Sequence, residues 1–334
     1  MKITLSAIIM LIMTIIILVS CAQQEKSLAI SDFVIIKYKN SENDFYSADL
    51  LTNNLEREFK KSNIRIDILD VSKSYDFTDI LSQQIKDYKR SYIFLLTEYP
   101  LDKLNLIAKQ NPKTTIIAFE NLNTNTNDEI KADNIKYITL DSSDAITNIA
   151  YVSAFWADNK EPQQGKVVFF HDQSSTYRHY EETFKSGINN FNKDFGKNVE
   201  VINADITGNY SQTKFDKTFD NLIKQNAVVF FVACERDYFR ILKKIQTLRK
   251  YTCGIQTDLY YFTPEFQDIV LVSEDIAFKQ IAEDIVDSIN DGQLEVLDNL
   301  SSKSKPSYIK LSSFHNFDDS FSQNIKNYTK VASF

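Results

Sequence analysis

Short apolar runs alternate with amphipathic stretches along most of the chain. The runs are nearly continuous and rich in Ile, Val, Phe and Tyr, which is typical of strands buried on both faces of a sheet. In the stretches between them apolar residues recur at helical spacing, as Leu51, Leu55 and Phe59 do. The strands predicted in the first half are Phe33–Tyr38, Arg65–Val71, Ser91–Leu96, Thr115–Phe119 and Lys136–Leu140.

The alternation restarts near residue 145. Two successive series of strands and helices predict an α/β fold with two doubly wound parallel-sheet lobes. We expect residues 31–141 plus 277–303 to form lobe 1 and residues 145–272 plus 306–334 to form lobe 2, with three crossings between them. The later predicted elements are strands Lys166–His171, Val199–Ala204, Ala227–Ala233, Thr252–Gln256, Asp268–Val272 and Ser307–Leu311, and a last helix at Asp318–Val331.

The N-terminal segment has the pattern of an export signal. Lys2 precedes an apolar run, Ala7–Val19, that is too short for a membrane span, and Cys21 follows Leu18-Val19-Ser20. A cysteine at this place matches the bacterial lipobox, so we expect residues 1–20 to be a lipoprotein signal peptide, Cys21 to be lipidated and residues 21–30 to be the anchor and tether. The alternative is an ordinary signal peptide with a chance cysteine. The lipobox reading places the protein in the cell envelope, lipid-anchored to a bacterial membrane and either periplasmic or surface-exposed.

Composition argues against several classes of function. The net charge is −7 without a dense basic cluster, which disfavours nucleic acid as a partner. With only 6 Gly, the chain has no Gly-x-Ser-x-Gly elbow, Walker loop or Gly-x-Gly-x-x-Gly fingerprint. His171 and His179 lack companions at metal-ligand spacing. We therefore predict no catalytic residues, no metal site, no cofactor and no enzymatic activity.

Two cysteines remain after Cys21. In an exported protein, a pair such as Cys234 and Cys253 suggests a disulfide. However, Cys234 ends one predicted strand and Cys253 begins the next, and consecutive parallel strands place such positions at opposite ends of the sheet. We expect two buried thiols instead of a disulfide.

The candidate functional residues follow the predicted strands. In open α/β sheets, ligands bind beyond the carboxyl ends of the strands. The loops there are rich in aromatic and acidic residues, which suit a planar or sugar-like ligand. The alternative is that these aromatic side chains merely cover the lobe edges. The residues that stand out in these loops are Phe45, Tyr46, Glu120, Tyr177, Tyr180, Glu235, Asp258 and Tyr260.

Several short segments carry a resemblance to a known family. They are Val34-Ile35-Ile36 with Asp44-Phe45-Tyr46, Gln110-Asn111-Pro112 with Thr115–Glu120, Ala150–Phe155 with Gly165-Lys166-Val167, Phe184-Lys185-Ser186-Gly187, and Gly254-Ile255-Gln256-Thr257-Asp258. The chain thereby resembles the basic membrane protein family of purine nucleoside receptor lipoproteins. The resemblance implies a type I periplasmic-binding-protein fold and a membrane-anchored substrate-binding lipoprotein that delivers nucleosides to an ABC permease. It also implies two lobes that close over the ligand.

The resemblance implies a site with altered polar groups. Its predicted residues are Phe45, Tyr46, Glu120, Tyr180, Gln256 and Asp258, with the ligand between Phe45 and Tyr180. The family's Asp, Asn, Asp and Lys are replaced by Lys37, Tyr46, Gln256 and an acid at Glu274 or Asp275, so we expect purine nucleosides to bind weakly or not at all. The alternative is a paralogue without small-molecule binding, acting as a surface interaction or adhesion lipoprotein. A cleft filled around Phe170, His171 and Lys37 would favour that alternative, and an open cleft with Tyr180 facing Phe45 would favour the receptor.

Overall fold

The computed structural model describes residues 32–39, 47–72, 76–97, 99–121, 132–171, 180–205, 211–300 and 305–317. The predictions for the signal peptide, for Cys21, for the tether and for helix Asp318–Val331 lie outside these residues. None of the helices in the described ranges has the length and apolar character needed to span a membrane.

The first sheet has five parallel strands in the order β2-β1-β3-β4-β5. Its central strand, β3, is buried on both faces, since Ile93, Phe94 and Leu95 are all fully buried. The elements are β1 Phe33–Tyr38, α1 Ser47–Lys61, β2 Ile66–Val71, α2 Phe77–Lys86, β3 Tyr92–Leu96, α3 Leu101–Gln110, β4 Thr115–Asn121 and β5 Ile135–Leu140.

The second sheet has six strands in the order β11-β10-β9-β8-β6-β7, and only the β10–β11 pair is antiparallel. The elements are α4 Ser143–Lys160, β6 Lys166–His171, α5 Glu181–Phe195, β7 Glu200–Asp205, α6 Gln212–Lys224, β8 Ala227–Ala233, α7 Tyr238–Thr247, β9 Tyr251–Gly254, α8 Leu259–Phe262, β10 Val270–Ile276, α9 Phe278–Asn290 and β11 Ile309–Leu311. Two parallel-dominated sheets with flanking helices confirm the predicted fold class.

The chain passes between the two sheets more than once. Helix α9 follows the second sheet in sequence, yet Ile281 and Ile285 pack in the same core as Ile35 and Phe94 of the first sheet. Strand β11 then returns to pair with β10 in the second sheet. The precise lobe boundaries given above stay predictions, because part of the last connection lies outside the described residues.

Strand β10 extends further than its apolar pattern predicts. The expected strand was Asp268–Val272, whereas the structure has Val270–Ile276. The extra residues are polar, but Ser273 pairs with Gly254 of β9 and Glu274 pairs with Leu311 of β11. Backbone pairing on both sides thus keeps a polar segment in the sheet and carries an acidic residue to the point where the chain leaves it.

Close packing of α4 on α5 sets the position of one end of the second sheet. A Cβ atom at Gly187 would lie 2.2 Å from the carbonyl oxygen of Thr147, so only glycine allows the two helices to approach this closely. Beneath α5, the ring of Phe184 stacks on Phe231 with centroids 5.1 Å apart. This packing holds β6 and the start of α5, and therefore the residues around them, in a fixed place.

The two cysteines of the second sheet behave as predicted. Cys234 and Cys253 are both buried, and neither is in a disulfide. Cys253 pairs across the sheet with Phe231, three residues before Cys234. The two thiols therefore belong to the core of the second lobe.

Candidate functional site

Polar side chains end four neighbouring strands of the second sheet at its carboxyl edge. His171 is the last residue of β6, Glu235 follows β8, Gln256 follows β9, and Glu274 lies near the end of β10. This edge is where open α/β sheets bind ligands. We refer to Glu235, Gln256 and Glu274 as the acceptor cluster, because each of these side chains carries oxygen atoms that accept hydrogen bonds.

Gln256 has an unusual backbone conformation. Its φ angle is 69°, in the left-handed region that non-glycine residues rarely adopt. The amide of Thr257 donates to the carbonyl of Ile255 at 2.8 Å, which makes Gln256 the centre of a tight three-residue turn. The amide of Ile276 donates to the Gln256 carbonyl at 3.1 Å and holds the turn against β10. Such a conformation costs on the order of 1–3 kcal/mol and is often found at functional sites.

Hydrogen bonds join the acceptor cluster through Gln256. The backbone amide of Gln256 donates to Oε2 of Glu274 at 3.1 Å, and its Nε2 donates to Oε1 of Glu235 at 3.4 Å. Gln256 and Glu274 are both 0% exposed. The Nε2 group must face Glu235, because the flipped amide would place two acceptors against each other.

One acceptor of this cluster has no donor. Among the described residues, nothing donates a hydrogen bond to Oε1 of Gln256. A buried polar atom left without a partner costs about 1–3 kcal/mol. An unpartnered acceptor beside two carboxylates therefore forms a place that a hydrogen-bond donor would stabilise.

His171 adds a second buried polar group at this edge. Its Nδ1 also has no hydrogen-bond partner within the described ranges, although the residue is only 7% exposed. The preceding Phe170 packs on Phe219 of α6, with ring centroids 5.4 Å apart. The ring of Phe170 therefore lies in the core between β6 and α6, because side chains alternate between the two faces of a strand.

Tyr180 is buried instead of presenting a ring face. It is 1% exposed, and its hydroxyl accepts a hydrogen bond from the amide of Ser142 at 3.0 Å. Burial raises the pKa of the phenol, the Ser142 amide lowers it, and the charges of Glu274 and Asp141 raise it further. Tyr180 thus joins the start of α5 to the connection that leaves β5, close to Glu274. Its predicted role in stacking on a ligand stays a prediction.

Asp258 stabilises a short helix beside the edge. Its carboxylate accepts from the amide of Tyr260 at 3.2 Å, which caps α8, and lies 3.1 Å from Nε2 of His315. The imidazole of His315 stacks on the ring of Tyr260 at 3.9 Å. Because both oxygens of Asp258 lie near His315, this residue secures the segment after β11 to the second lobe.

At the first sheet, the corresponding edge is dominated by Lys37. Its Nζ lies 2.9 Å from Asp49 and 2.7 Å from Asp70. Burial lowers the pKa of Lys37, but the hydrogen bonds and charges of Asp70 and Asp49 outweigh this effect, so the pKa is raised overall. Glu120 lies in β4 and its side chain is outside the described part of the chain, as are Phe45 and Tyr46.

The structure thus brings together only part of the predicted site. Tyr180 and Gln256 both lie near Glu274, whereas Asp258 is engaged with His315. Glu235 stood out among the loop residues in the sequence but was not included in the predicted ligand site. Glu274 and His171 lie at the same edge and were not predicted as site residues. Within the described ranges, no three His, Cys, Asp or Glu side chains come together as a metal site.

Comparisons with known proteins show the fold. No family model matches the chain, and no curated protein matches it. Solved structures do match. An ABC transporter solute-binding protein from Aeropyrum pernix K1 has a TM-score of 0.66 and 11% identity over 89% of this chain and 79% of its own. A carbohydrate transporter solute-binding protein from Agrobacterium radiobacter, in complex with D-arabinose, has a TM-score of 0.57 and 14% identity over 90% of this chain and 99% of its own.

Regulators share the same architecture. A transcriptional activator of the comK gene from Bacillus halodurans has a TM-score of 0.62 and 14% identity over 89% of this chain and 96% of its own. At this level of identity the likeness shows the fold alone. The chain therefore has the two-lobed type I periplasmic-binding fold, and the resemblance to the basic membrane protein family is not confirmed by these comparisons.

Proposed function

We propose that this chain is a lipid-anchored solute-binding protein that captures a small molecule between its two lobes for an ABC-type importer. The observation that carries the proposal is the buried Oε1 of Gln256 at the carboxyl edge of the second sheet, to which no described residue donates a hydrogen bond. Ligands of open α/β sheets bind at this edge. Two solved structures of the same fold are named solute-binding proteins of transporters, which adds support.

The chemistry of this edge supports capture followed by lobe closure. A ligand that donates to Gln256 removes the cost of an unpaired buried acceptor, which is about 1–3 kcal/mol. Because that gain exists only when the edge is enclosed, the ligand would favour the closed arrangement of the lobes. The connections after β5 and β10 are then the places where the backbone adjusts.

Purine nucleosides are poor candidates for the ligand. The family resemblance places an Asp where this chain has Lys37, and Lys37 is held by Asp49 and Asp70. It also places an Asp where this chain has Gln256. The loss of several hydrogen-bond partners to a buried ligand, at about 1–3 kcal/mol each, would abolish ordinary nucleoside affinity.

A screen of the full-length chain in detergent tests the binding function. Thermal-shift and calorimetric titrations would use nucleosides, pentoses, amino acids and amines. We expect at least one class to raise Tm, since ligand bound only to the folded state stabilises it. Absence of any shift at millimolar concentrations, with a folded protein, would contradict the proposal.

Membrane anchoring is tested at Cys21. We expect wild-type protein to partition into the detergent phase and to incorporate labelled acyl chains, because two or three acyl chains hold a protein firmly on a membrane. Cys21→Ala should lose both properties, while Ser20→Ala should keep them. A Cys21→Ala protein that is still acylated and membrane-bound would exclude the lipobox.

A surface interaction protein is the second candidate. Tyr261 is 70% exposed and Phe262 is 44% exposed on α8, which lies beside the same edge, and exposed aromatic side chains often mark contact sites. The burial of Tyr180 also departs from an open stacking platform. Under this alternative, a Tyr261→Ser and Phe262→Ser double variant would lose cell-surface or partner binding. In a solute receptor, the same variant would keep its solute affinity.

A further inference from the structure

Two buried polar atoms at the carboxyl edge of the second sheet have no hydrogen-bond partner in the described part of the chain. One is Oε1 of Gln256, a residue that is 0% exposed, and the other is Nδ1 of His171, which is 7% exposed. An unpaired buried polar atom costs stability, and folded proteins retain few of them. Two such atoms at one edge point to a ligand that supplies the missing hydrogen bonds.

The register of the sheet brings the two residues to nearly the same level. His171 of β6 pairs with Ala233 of β8. On the other side of β8, Phe231 pairs with Cys253 of β9, and Gln256 follows three residues later. Neighbouring strands are about 4.8 Å apart, so two strand spacings, about 10 Å, separate the two backbones. One small molecule can bridge the shorter gap that remains between the two side chains.

Packing places both residues around the start of α5. The imidazole ring of His171 lies 5.7 Å from the ring of Phe169, which itself packs beneath α5. Tyr180, at the start of α5, lies close to Glu274, and Glu274 accepts a hydrogen bond from the amide of Gln256. His171 and Gln256 are therefore connected to the same helix end from two sides.

The two atoms define the chemistry of the group that binds. Oε1 of Gln256 only accepts, whereas Nδ1 of a neutral His171 donates or accepts according to the tautomer. A hydroxyl or a primary amide suits both atoms, because each carries a donor and an acceptor. A carboxylate or a phosphate has no donor for Gln256. A cation is not required, because Glu235 and Glu274 both have interaction partners within the chain.

We propose that His171 and Gln256 bind two sides of one uncharged ligand through hydroxyl or primary amide groups. The ligand donates a hydrogen bond to Oε1 of Gln256 and forms a second one with Nδ1 of His171. The inference rests on the proposed solute-binding function. It adds His171 as a ligand contact and names the charge class of the solute.

Matched probes test the charge class. Isothermal titration calorimetry on the full-length chain in detergent would compare D-glucose with D-glucuronate, and nicotinamide with nicotinate and 3-aminomethylpyridine. We expect D-glucose or nicotinamide to bind at least tenfold more tightly than its charged relatives. The sugar pair and the pyridine set distinguish a hydroxyl ligand from an amide ligand. Equal or tighter binding of the charged relatives in both sets would overturn the inference.

Two variants of His171 separate a ligand contact from a packing role. His171→Phe keeps a ring and removes the nitrogen. We expect it to weaken binding of the uncharged probe at least tenfold and to raise the Tm of the unliganded protein by about 2–4 °C, because an unpaired buried polar atom is removed. His171→Asn keeps a polar atom near the position of Nδ1 and should retain most of the affinity. Equal loss of affinity in both variants would argue for packing alone.

Gln256→Met tests the other side of the ligand. It removes the acceptor at nearly unchanged side-chain length and should also weaken binding at least tenfold. Thr252→Val is the control, because Thr252 is equally buried in β9 but its hydroxyl donates to the carbonyl of Phe230 at 2.9 Å. This control should lower the Tm, since a formed hydrogen bond is lost, and should leave affinity unchanged.

The outcomes separate the site from the function. Unchanged affinity in His171→Phe and Gln256→Met refutes the site, and loss in only one of them refutes the contact on the other side. If charged ligands bind and uncharged ones do not, the inference fails and the solute-binding function stands. If neither the probes nor the wider screen gives a ligand, both fail.

Discussion

The carboxyl edges of the two sheets differ in how their polar side chains are paired. At the first sheet, Lys37 lies between Asp49 and Asp70 at ordinary ion-pair distances, so charge is balanced within the protein. At the second sheet, Gln256 is fully buried and its Oε1 accepts from no donor among the described residues. Paired charges consolidate the fold, whereas a buried acceptor without a donor costs stability until a donor reaches it.

The two edges also differ in how they are connected. Tyr180, at the start of α5, accepts a hydrogen bond from Ser142 in the connection that follows β5. The second edge is therefore attached directly to a segment at which the chain passes between the sheets. A movement of this edge can therefore be transmitted to the crossing through the side chain of Tyr180. The substitutions below measure how much each contact contributes to stability.

Loss of the Tyr180 ring should have the largest effect. Tyr180→Ala removes a fully buried aromatic side chain and should lower the free energy of unfolding by about 3–5 kcal/mol. Tyr180→Phe loses only the hydroxyl and should cost about 1–2 kcal/mol. Urea unfolding provides the measurement, with Tyr261→Ala as the exposed control. If Tyr180→Ala costs no more than that control, Tyr180 faces solvent and stacking on a ligand regains support.

Removal of the Lys37 charge should rank next. Lys37→Met leaves Asp49 and Asp70 without their shared cation and should cost about 2 kcal/mol near neutral pH. The raised pKa of Lys37 means that its contribution is complete below the unfolded value and is lost as the pH rises through the folded one, which lies above 10.5.

Unfolding of wild type and variant at several pH values measures the Lys37 contribution. The difference between them should be constant at neutral pH and should shrink above the folded pKa. Lys185→Met, which breaks exposed pairs with Glu181 and Glu182, should cost less than about 1 kcal/mol. If Lys37→Met and Lys185→Met lose the same stability, the ion pairs of Lys37 contribute no more than ordinary surface pairs.

At the strained turn of Gln256, glycine should be more stabilising than alanine, which is the reverse of the order at an ordinary position. Both Gln256→Gly and Gln256→Ala remove the side chain, but glycine accepts a φ of 69° at little cost. We expect the glycine variant to be more stable by about 1 kcal/mol in urea unfolding. At Gln225, where φ is −91°, glycine should be no better than alanine. Alanine and glycine of equal stability at position 256 would argue against strain.

Asp275 should give the smallest effect. Burial raises its pKa, Lys310 lowers it and Asp258 raises it further, so its ionised form is disfavoured in the folded state. Asp275→Asn should therefore raise the free energy of unfolding near neutral pH, by less than about 1 kcal/mol, and the gain should vanish as the pH falls through the folded pKa.

Asp216 provides a control with a pKa shift opposite to that of Asp275. Lys244 and Gln212 hold the pKa of Asp216 below its usual value. Asp216→Asn should therefore destabilise the protein at neutral pH, and that loss should disappear in acid. Acid titration of stability for both variants checks the pair, and two changes of the same sign would contradict the assigned pKa directions.

The sequence predicted those elements whose residues are apolar on both faces. Strands β1 and β8 were found because Val34–Ile36 and Val228–Val232 are continuous apolar runs, as strands in the middle of parallel sheets require. The predicted bounds of β10 ended too early, at Val272. Ser273 and Glu274 are polar, and their pairing with β9 and β11 keeps them in the sheet. Pairing between distant segments is invisible to a local pattern.

The candidate site was predictable in position but not in roles. The rule for open α/β sheets directs attention to the carboxyl edge of the second sheet, where the unpartnered Oε1 of Gln256 lies. It could not tell that Tyr180 is buried, because that depends on Ser142, 38 residues earlier in the chain. Nor could it reveal that Glu274 accepts from Gln256, since an isolated acid normally predicts a solvated position. The contact of Asp258 with His315 was equally hidden, because His315 lies 57 residues further along the chain.

The reactivity of the Cys234 and Cys253 thiols can report how often the second lobe unfolds locally. Both are buried; burial raises the pKa of the Cys253 thiol to about 12, even though its hydrogen-bonding contact with Ser153, at 3.3 Å, lowers it. Since the thiolate is the form that reacts, an alkylating reagent reaches these sulfurs only during excursions from the folded state. Mass spectrometry of the two cysteine peptides would give the alkylation rate in intact cells. That rate would measure the frequency of these excursions without denaturant and at the protein's natural abundance.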